Sequence, residues 1–323
     1  MTKECTVSVI CTAYNHEKFI RDALEGFVKQ QTTFEYEVLI NDDASPDNTA
    51  NIIREYEEKY PQLFRVFYQR ENQYSQGVNV ENDILIAAAR GKYIALCEGD
   101  DYWTDPQKLQ VQVDYLEANP DCAACVGNTV VHYCDGSIPD ALHSKGRGDH
   151  DVAFSTILSG MGNSYHPSTL VFRSEYVKDL PEYFNIGFNY GFDDLPRALY
   201  LAQCGRVHYI DRPLSLYRIG SNPTSWSSNV ESYRKLLRFL KGQIAVLRCL
   251  LKYTDREHSA QVEDAILEHE FELLYIEGRD REQRKDPYRK ILRRQGLSYR
   301  TKNLVKCLLP GIQRAHRKKM GFE

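Results

Sequence analysis

The sequence predicts an α/β protein in which a mixed, mostly parallel sheet is flanked by helices and followed by a helical C-terminal region. Short apolar segments typical of buried strands alternate with amphipathic helical segments over the first 228 of the 323 residues. Acidic clusters follow directly after two of these strands. Such alternation implies right-handed crossovers between strands that run largely in parallel.

The predicted strands are short and rich in β-branched and apolar residues. They cover residues 6–11, 37–40, 64–68, 92–96, 122–133, 168–173, 207–210 and 214–217. The predicted helices carry apolar residues at helical spacing. They cover residues 20–28, 46–60, 83–90, 105–118, 193–203, 236–251 and 267–274. Ser45 is expected to cap the second helix, and the polar segment 135–150 predicts a mobile loop.

An acidic turn follows the predicted strand 92–96. It places Glu98, Asp100 and Asp101 within four residues at the carboxyl end of that strand. Open α/β sheets bind ligands at this edge, and a cation such as Mg²⁺ or Mn²⁺ usually offsets like charges that lie so close. Taken alone, the residues leave a second interpretation open, which is a solvated acidic turn that caps the next helix.

Charge is distributed unevenly along the chain, whose net charge is −4. Residues 286–323 contain eleven Lys and Arg and two acidic residues. A basic tail of this kind can bind anionic lipid or nucleic acid, or it can simply be the solvated end of a helix, and these interpretations stay open. The change from alternating strands and helices to helical stripes alone predicts an α/β domain at 1–228. A helical region with a basic tail is predicted at 229–323.

Nine cysteines are scattered over predicted strands and helices. An odd, scattered set is typical of reduced thiols in a cytoplasmic protein. Cys122 and Cys125 have the spacing of metal ligands, but they lie in an apolar segment and no second pair follows, so we expect them in the core. The sequence shows neither a signal peptide nor an apolar segment of transmembrane length, and we expect a cytoplasmic protein.

Two further acidic pairs lie beside predicted elements. Asp42 and Asp43 end the second strand, and Asp193 and Asp194 begin a helix. Acidic residues at helix starts are often only caps. Three acidic sets in this arrangement also suit a site where one acid binds a nucleoside, one binds a metal on a diphosphate and one removes a proton.

Four segments share the order and spacing of known motifs. They read Val-Ser-Val-Ile-Cys-Thr-Ala-Tyr-Asn at 7–15, Gln-Gln-Thr at 30–32, Val-Leu-Ile-Asn-Asp-Asp-Ala-Ser-Pro-Asp-Asn-Thr at 38–49 and Ala-Arg-Gly-Lys-Tyr-Ile-Ala-Leu-Cys-Glu-Gly-Asp-Asp at 89–101. In these segments the chain resembles the family 2 glycosyltransferases, which have the GT-A fold of nucleotide-diphospho-sugar transferases. It departs from the motifs where Thr12 and Ala13 replace Pro-Thr, Ala44 replaces glycine and Glu98 replaces aspartate.

The resemblance implies that 1–228 is the catalytic domain, with its nucleotide-sugar-binding part at 1–130 and its acceptor side at 131–228. It also implies roles for individual residues. Tyr14 and Asp43 would line the nucleobase pocket, Glu98 would approach the ribose, and Asp100 would bind the metal on the diphosphate with help from Asp101. The other residues that it places at the donor are Thr12, Asn15, Asp42 and Arg218. Asp194 would be the base that deprotonates the acceptor hydroxyl, with Asp193 as the alternative.

The function implied by the resemblance is inverting transfer of a hexosyl or N-acetylhexosaminyl group from a nucleotide-sugar, expected to be a UDP-sugar. The expected cofactor is Mn²⁺ or Mg²⁺, and the expected acceptor is a saccharide or a lipid-linked saccharide of a cell-surface polysaccharide or glycoconjugate. No nucleic acid is expected as a partner. Peripheral contact of the basic tail with the inner face of the membrane stays open beside a solvated helical end. Two alternatives remain, a non-catalytic nucleotide-sugar-binding protein and a metal-dependent nucleotidyltransferase. The turn at 12–16 disfavours the latter because it lacks glycine and lysine.

Overall fold

A computed structural model describes residues 5–146, 148–159, 164–177, 179–221, 233–308 and 318. Its main feature is one mixed sheet, which confirms the predicted fold class. The strands are β1 (Val7–Ala13), β2 (Tyr36–Asp42), β3 (Phe64–Tyr68), β4 (Tyr93–Leu96), β5 (Tyr102–Trp103), β6 (Cys122–Tyr133), β7 (Ala141–Leu142), β8 (His150–Asp151), β9 (Val171–Arg173) and β10 (Arg206–Ile219). The order across the sheet is β3-β2-β1-β4-β9-β6-β10-β5, with β7 beside β6 and β8 beside β10.

Strand direction places several loops at one edge of this sheet. Strand β1 runs parallel to β2 and β4, and β2 runs parallel to β3. Strand β9 is antiparallel to both β4 and β6, and β6 is parallel to β10. The carboxyl ends of β1, β2, β4, β6 and β10 therefore lie at the same edge.

The helices and single turns alternate with these strands. They are α1 (Ile20–Val28), α2 (Thr49–Lys59), a π-helix (Val80–Ile86), α3 (Lys108–Ala118), α4 (Phe154–Leu158), α5 (Glu182–Tyr190), α6 (Asp194–Cys204), α7 (Tyr233–Leu250), α8 (Arg256–Ile276), α9 (Arg289–Arg294) and α10 (Leu297–Leu308), with 3₁₀ turns at Tyr74–Gln76, Pro167–Thr169, Ser174–Val177, Leu251–Tyr253 and Glu282–Arg284.

Several predicted boundaries are wrong for identifiable reasons. Helix α2 begins at Thr49, and Ser45 does not cap it, because the Ser45 hydroxyl accepts a hydrogen bond from the backbone N–H of Asn15. The two strands predicted at 207–217 form the single strand β10, whose pairing with β6 shifts register around Pro213. The predicted loop 135–150 contains β7 and the start of β8, which pair with β6 and β10.

The Arg-Gly part of the fourth motif lies at the opposite, amino-terminal edge of the sheet. The Arg90 side chain donates to Glu37 Oε2 from Nε at 3.0 Å and from Nη2 at 2.6 Å. Ser8 Oγ donates to Glu37 Oε1 at 2.7 Å and accepts from the backbone N–H of Gly91 at 2.8 Å. A Cβ on Gly91 would lie only 2.4 Å from Ser8 N. These residues join β1, β2 and β4, and their role here is structural.

The cysteines agree with the predicted core. Cys122 and Cys125 are fully buried in β6, as expected, and all nine cysteines have free thiols. Burial raises the pKa of the Cys125 thiol to about 12, so the thiol stays protonated. The pair therefore packs the interior of the sheet.

Lys108, near the start of α3, is an ionisable residue in this interior. Its side chain is fully buried, and its Nζ has no hydrogen-bond partner among the described residues. The Nζ lies 4.2 Å from the centroid of the Trp103 ring. Burial lowers the pKa of Lys108 to about 7, only partly opposed by Cys97, Cys125 and Asp105.

We expect the Lys108→Met variant to be more stable than the wild-type protein at neutral pH. Unfolding returns the amine to its ordinary pKa near 10.5, so the unfolded chain binds the proton more tightly between pH 7 and that value. Wild-type stability should therefore rise with pH, by up to about 1.4 kcal/mol per pH unit, and the variant should lose this rise. Denaturant unfolding at a series of pH values measures both effects, with the exposed Lys59→Met as control. Equal pH slopes in Lys108→Met and wild type would contradict this account.

The chain divides into two compact units. One comprises residues 1–180 and 197–228, and the other comprises 181–196 and 229–323. The boundary predicted after residue 228 falls outside the described residues, as does most of the basic tail beyond 308. Among the described residues, no helix has both the length and the apolar character needed to cross a bilayer.

Candidate functional site

The turns after β1 and β2 are joined by hydrogen bonds from backbone amides to side chains. Asn15 N donates to Ser45 Oγ at 3.0 Å, and His16 N donates to Thr49 Oγ1 at 2.8 Å. Asn15 has a φ of 60° and Ala44 a φ of 59°, so both turns need a left-handed residue. The predicted donor residues Thr12, Tyr14 and Asn15 are therefore held beside the predicted pair Asp42 and Asp43.

The two aspartates at the end of β2 have different surroundings. Asp43 is buried, and its carboxylate accepts hydrogen bonds from the backbone N–H groups of Gln73 and Tyr74 at 2.8 and 3.1 Å. It therefore fixes the 3₁₀ turn Tyr74–Gln76. Asp42 Oδ2 accepts from Ser45 N at 3.3 Å, and burial raises the pKa of Asp42. Tyr14 is partly exposed at the same edge.

The acidic turn after β4 lies directly against the turn after β1. Gly99 N donates to the Thr12 carbonyl at 2.9 Å, and Cys97 N donates to the Ile10 carbonyl at 3.1 Å. The turn closes on itself through Asp101 N, which donates to the Glu98 carbonyl at 3.1 Å. Glu98 is exposed. The structure thus brings the predicted residues at 12–15, 42–43 and 98–101 to one edge of the sheet.

Asp100 lies between a histidine and a serine. Its Oδ2 accepts a hydrogen bond from Ser221 Oγ at 2.7 Å and lies 3.9 Å from His16 Nε2. Burial lowers the pKa of His16, so its imidazole is neutral at physiological pH. A carboxylate oxygen beside a neutral imidazole is a donor set that Mn²⁺ accepts, and hard cations bind such oxygens readily. The surroundings of Asp100 therefore fit a divalent metal.

Asp101 is buried and contacts the end of β10. Its Oδ1 accepts from Arg218 N at 2.9 Å, and its Oδ2 lies 3.7 Å from His166 Nδ1. Burial, together with the neighbouring Asp100, raises the pKa of Asp101. The imidazole of His166 stacks on Tyr217 at 3.9 Å between centroids, and burial lowers its pKa to about 3. These contacts join the acidic turn to β10.

The Arg218 side chain is nearly buried and lies behind the acidic turn. Its Nη1 donates to the Asp100 carbonyl at 2.7 Å, and its Nη2 donates to Asp22 Oδ2 on α1 at 2.5 Å. The guanidinium carbon lies 5.1 Å from the Phe19 ring centroid and 4.7 Å from that of Tyr102. Arg218 therefore positions the Asp100 backbone and brings a positive charge to this edge.

Asp193 and Asp194 belong to the other compact unit, and Asp194 is the first residue of α6. Their predicted roles stay predictions. Sequence reasoning did not single out His16, Ser221 or Asp22. His16 follows directly on the motif that ends at Asn15, which was a usable signal. Nothing local in the sequence marks Ser221 or Asp22 as neighbours of Asp100 and Arg218.

We expect the Gly99→Ala substitution to cost more free energy of nucleotide binding than free energy of unfolding. A Cβ on Gly99 would lie 2.8 Å from Ile20 Cδ1 and 2.9 Å from His16 Nδ1, so the acidic turn and His16 must move apart. Such overpacking costs about 1–3 kcal/mol of stability. Denaturant unfolding and nucleotide titration measure the two effects. The Gly77→Ala variant is a control for stability alone, since its Cβ would meet nothing within 4 Å at a φ of 85°. Unchanged nucleotide affinity in Gly99→Ala would argue against a site at this turn.

Comparison with known proteins agrees with this architecture. The structure is similar to that of Staphylococcus aureus TarS residues 1–349, with a TM-score of 0.61, 20% identity, and coverage of 83% of this chain and 73% of that one. It is also similar to the mannosyltransferase PcManGT of Pyrobaculum calidifontis, with a TM-score of 0.57, 18% identity and coverage of 98% and 87%. These likenesses define a GT-A fold.

The sequence comparisons identify the family. The profile described as Glycosyl transferase family 2 matches residues 8–180. An uncharacterized protein of Mycobacterium tuberculosis is 35% identical over 266 residues, which are 81% of this chain and 71% of that protein. A Bacillus subtilis protein provisionally named teichuronic acid biosynthesis glycosyltransferase TuaG is 27% identical over 48% of this chain and 59% of its own. The chain belongs to glycosyl transferase family 2.

Proposed function

We propose that this protein transfers a sugar from a UDP-sugar to an acceptor hydroxyl with inversion at the anomeric carbon and with the help of a divalent metal. The observation that carries the proposal is the position of Asp100. Its carboxylate lies at the carboxyl edge of the sheet beside His16, and the preceding residue, Gly99, donates its backbone N–H to the Thr12 carbonyl. In open α/β sheets this edge is where nucleotides bind.

The donor would bind across the three joined turns. Tyr14 and Asp43 line the nucleobase pocket in this proposal, Glu98 approaches the ribose, and the remaining donor residues are Thr12, Asn15, Asp42 and Arg218. The solved structures support a nucleotide-sugar donor, since TarS was solved with UDP-GlcNAc and PcManGT with GDP-Man and Mn²⁺. We propose a UDP-linked hexose or N-acetylhexosamine for this chain.

Asp100 would bind the metal, either Mn²⁺ or Mg²⁺. Asp101 is proposed as a second, assisting ligand. Among the described residues, no group of three or more His, Cys, Asp or Glu side chains could hold a metal ion. A metal bound by one or two carboxylates usually takes its remaining ligands from substrate phosphates and water. When bound, it would neutralise negative charge on the diphosphate leaving group. Arg218 positions the turn and adds a further positive charge there.

Asp194 is proposed as the general base, and Asp193 is the alternative. An inverting enzyme needs only one carboxylate, which takes the proton from the attacking hydroxyl, because no covalent sugar intermediate forms that would have to be hydrolysed.

The catalytic domain is proposed to span residues 1–228, with a helical region at 229–323.

The acceptor is proposed to be a saccharide or a lipid-linked saccharide of a cell-surface polysaccharide or glycoconjugate. The name of the Bacillus subtilis relative supports a polysaccharide. We propose a cytoplasmic protein that contacts the inner face of the membrane through its basic C-terminal region.

Release of UDP from a panel of UDP-sugars tests the proposal. We expect one donor to be hydrolysed slowly in the presence of Mn²⁺ and much faster when its acceptor is added, with no release in EDTA. Tight UDP binding without release from any donor, even with candidate acceptors, would favour a non-catalytic binding protein. Formation of a nucleotide-sugar from UTP and a sugar phosphate would favour a nucleotidyltransferase.

A further inference from the structure

Helix α10 (Leu297–Leu308) exposes an apolar face in the second compact unit. Leu297 is 76% exposed and Leu308 is 68% exposed, and Leu304 and Val305 are also exposed. At 3.6 residues per turn, these four side chains fall within about 100° of the helix circumference. A single exposed apolar side chain is unremarkable, but four on one helix face form a patch that fits a partner or a membrane.

The opposite face of α10 is already occupied. The Tyr299 ring packs on Phe271 and Tyr275, with centroids 6.1 and 6.0 Å apart. Buried Asn303 donates to Gln283 Oε1 at 2.7 Å and accepts from Arg284 Nη1 at 2.9 Å. These contacts, together with hydrogen bonds from the Arg281 guanidinium to the Cys307 carbonyl, dock the helix through one face, and the four exposed apolar side chains lie outside that face.

Positive charge surrounds this apolar face. Residues 286–308 contain seven Lys and Arg and one acidic residue. Lys290 and Arg294 pair with Asp264 on α8. Four others lie on the surface without an ion pair to any described residue, namely Arg289, Arg293, Arg300 and Lys302. Arg300 and Lys302 lie on either side of the apolar face in the helical projection.

We propose that α10 binds an anionic membrane surface, with Leu297, Leu304, Val305 and Leu308 inserted at the boundary of headgroups and acyl chains. Arg300 and Lys302 would contact the anionic headgroups at this depth. A helix with an apolar face bordered by cations has the pattern of interfacial helices. Such helices bind membranes through the burial of apolar side chains and through attraction between their cations and anionic lipids. The charges argue against a second copy of the chain, because two such faces would bring like charges together. The leucines argue against nucleic acid, which is bound through charge.

This inference assigns the membrane contact to a folded helix rather than to the charge of the terminal tail, and it does not depend on glycosyl transfer. Co-sedimentation of the full chain with vesicles tests it, using phosphatidylcholine alone and phosphatidylcholine with phosphatidylglycerol. We expect binding only to the anionic vesicles. The Leu297→Gln/Leu308→Gln variant should bind about 10²-fold more weakly, because two leucines no longer leave water. The Arg300→Gln/Lys302→Gln variant should bind about 30-fold more weakly, and added salt should weaken the wild type.

The control variant Lys59→Gln/Lys145→Gln removes the same charge from exposed positions of the other unit and should bind like the wild type. Thermal unfolding of each variant checks that the second unit remains folded. Unchanged vesicle binding in the leucine variant would overturn the proposal, including the case in which the charge variant alone binds weakly. So would a wild-type dimer in solution that the leucine variant dissociates while vesicle binding stays the same.

Discussion

Replacing Asp100 with asparagine is expected to lower metal-dependent UDP release by about 10²- to 10³-fold, because a bound cation supplies several kcal/mol of transition-state stabilisation. The Asp100 carboxylate is the acid of the turn that lies beside His16, whereas Asp101 is buried and accepts from Arg218 N. Asparagine keeps the size of the side chain and its contact with Ser221, but loses the negative charge. The rate of UDP release as a function of Mn²⁺ concentration measures the effect.

The matched control for this variant is Asp114→Asn. Asp114 is an exposed aspartate on α3 that accepts from Gln110 Nε2 at 2.8 Å. Its replacement should leave both the rate and the Mn²⁺ dependence unchanged. An Asp100→Asn enzyme with the wild-type Mn²⁺ requirement and rate would place the metal elsewhere. A similar loss in Asp101→Asn would be informative only if that variant keeps its stability, since Asp101 is part of the buried contact with β10.

The Asp194→Asn variant is expected to bind the donor normally and to transfer sugar about 10²- to 10⁴-fold more slowly, since general-base catalysis usually contributes that much. The loss should appear in kcat with the acceptor saturating, because the amide cannot take a proton from the attacking hydroxyl. Donor affinity should not change, since the proposed donor residues lie at the carboxyl ends of β1, β2, β4 and β10 and none of them lies on α6. Titration with UDP and a transfer assay measure the two quantities separately.

Asp193→Asn is the natural control for this variant, since the two aspartates are adjacent and only one is expected to act as base. We expect Asp193→Asn to keep most of its transfer activity. The reverse pattern, with transfer lost in Asp193→Asn and kept in Asp194→Asn, would reassign the base to Asp193. Full transfer activity in both variants would contradict a carboxylate base in this pair.

The strands of the sheet could be predicted from the sequence because their signals are local. Strand β6 is predicted at 122–133 and is found at Cys122–Tyr133, since Pro120 precedes its apolar and β-branched residues and the polar loop from Asp135 follows them. The acidic clusters were predicted at strand ends, and the Asp42 and Asp100 turns do lie at one edge. The alternation of strands with helices predicts the parallel direction that β1 to β4 share, whereas the order β3-β2-β1-β4 is not fixed by it.

Elements that depend on distant partners could not be predicted. Strand β5 has two residues, and it exists because Tyr102 and Trp103 pair with Leu216 and Ser215 of β10. The position of Ser45 before Pro46 predicts a helix cap. Its hydroxyl instead accepts a hydrogen bond from the backbone N–H of Asn15, in the turn after β1.

In the candidate site, too, residues within local motifs could be predicted, whereas contacts between distant parts of the chain could not. The resemblance indicates Asp100 and Arg218, but the contact between the Arg218 guanidinium and the Asp100 carbonyl joins positions 118 residues apart. The partner on the other side, Asp22, belongs to an ordinary amphipathic helix. Such contacts form through tertiary packing, and no spacing of residues in the sequence predicts them.

The thermal stability of wild type and Asp100→Asn with UDP, in Mn²⁺ and in EDTA, tests directly whether Asp100 forms a metal-assisted nucleotide site. A ligand that binds only the folded protein stabilises it, by about 2.7 kcal/mol at a concentration 100-fold above its Kd. We predict that UDP raises the melting temperature of the wild type in Mn²⁺ and that EDTA removes most of this increase. In Asp100→Asn, UDP should raise the melting temperature only by the small amount that remains for the wild type in EDTA, whether Mn²⁺ is present or not. An equal increase with and without Mn²⁺ in both proteins, or no increase in any condition, would contradict a metal-assisted nucleotide site at Asp100.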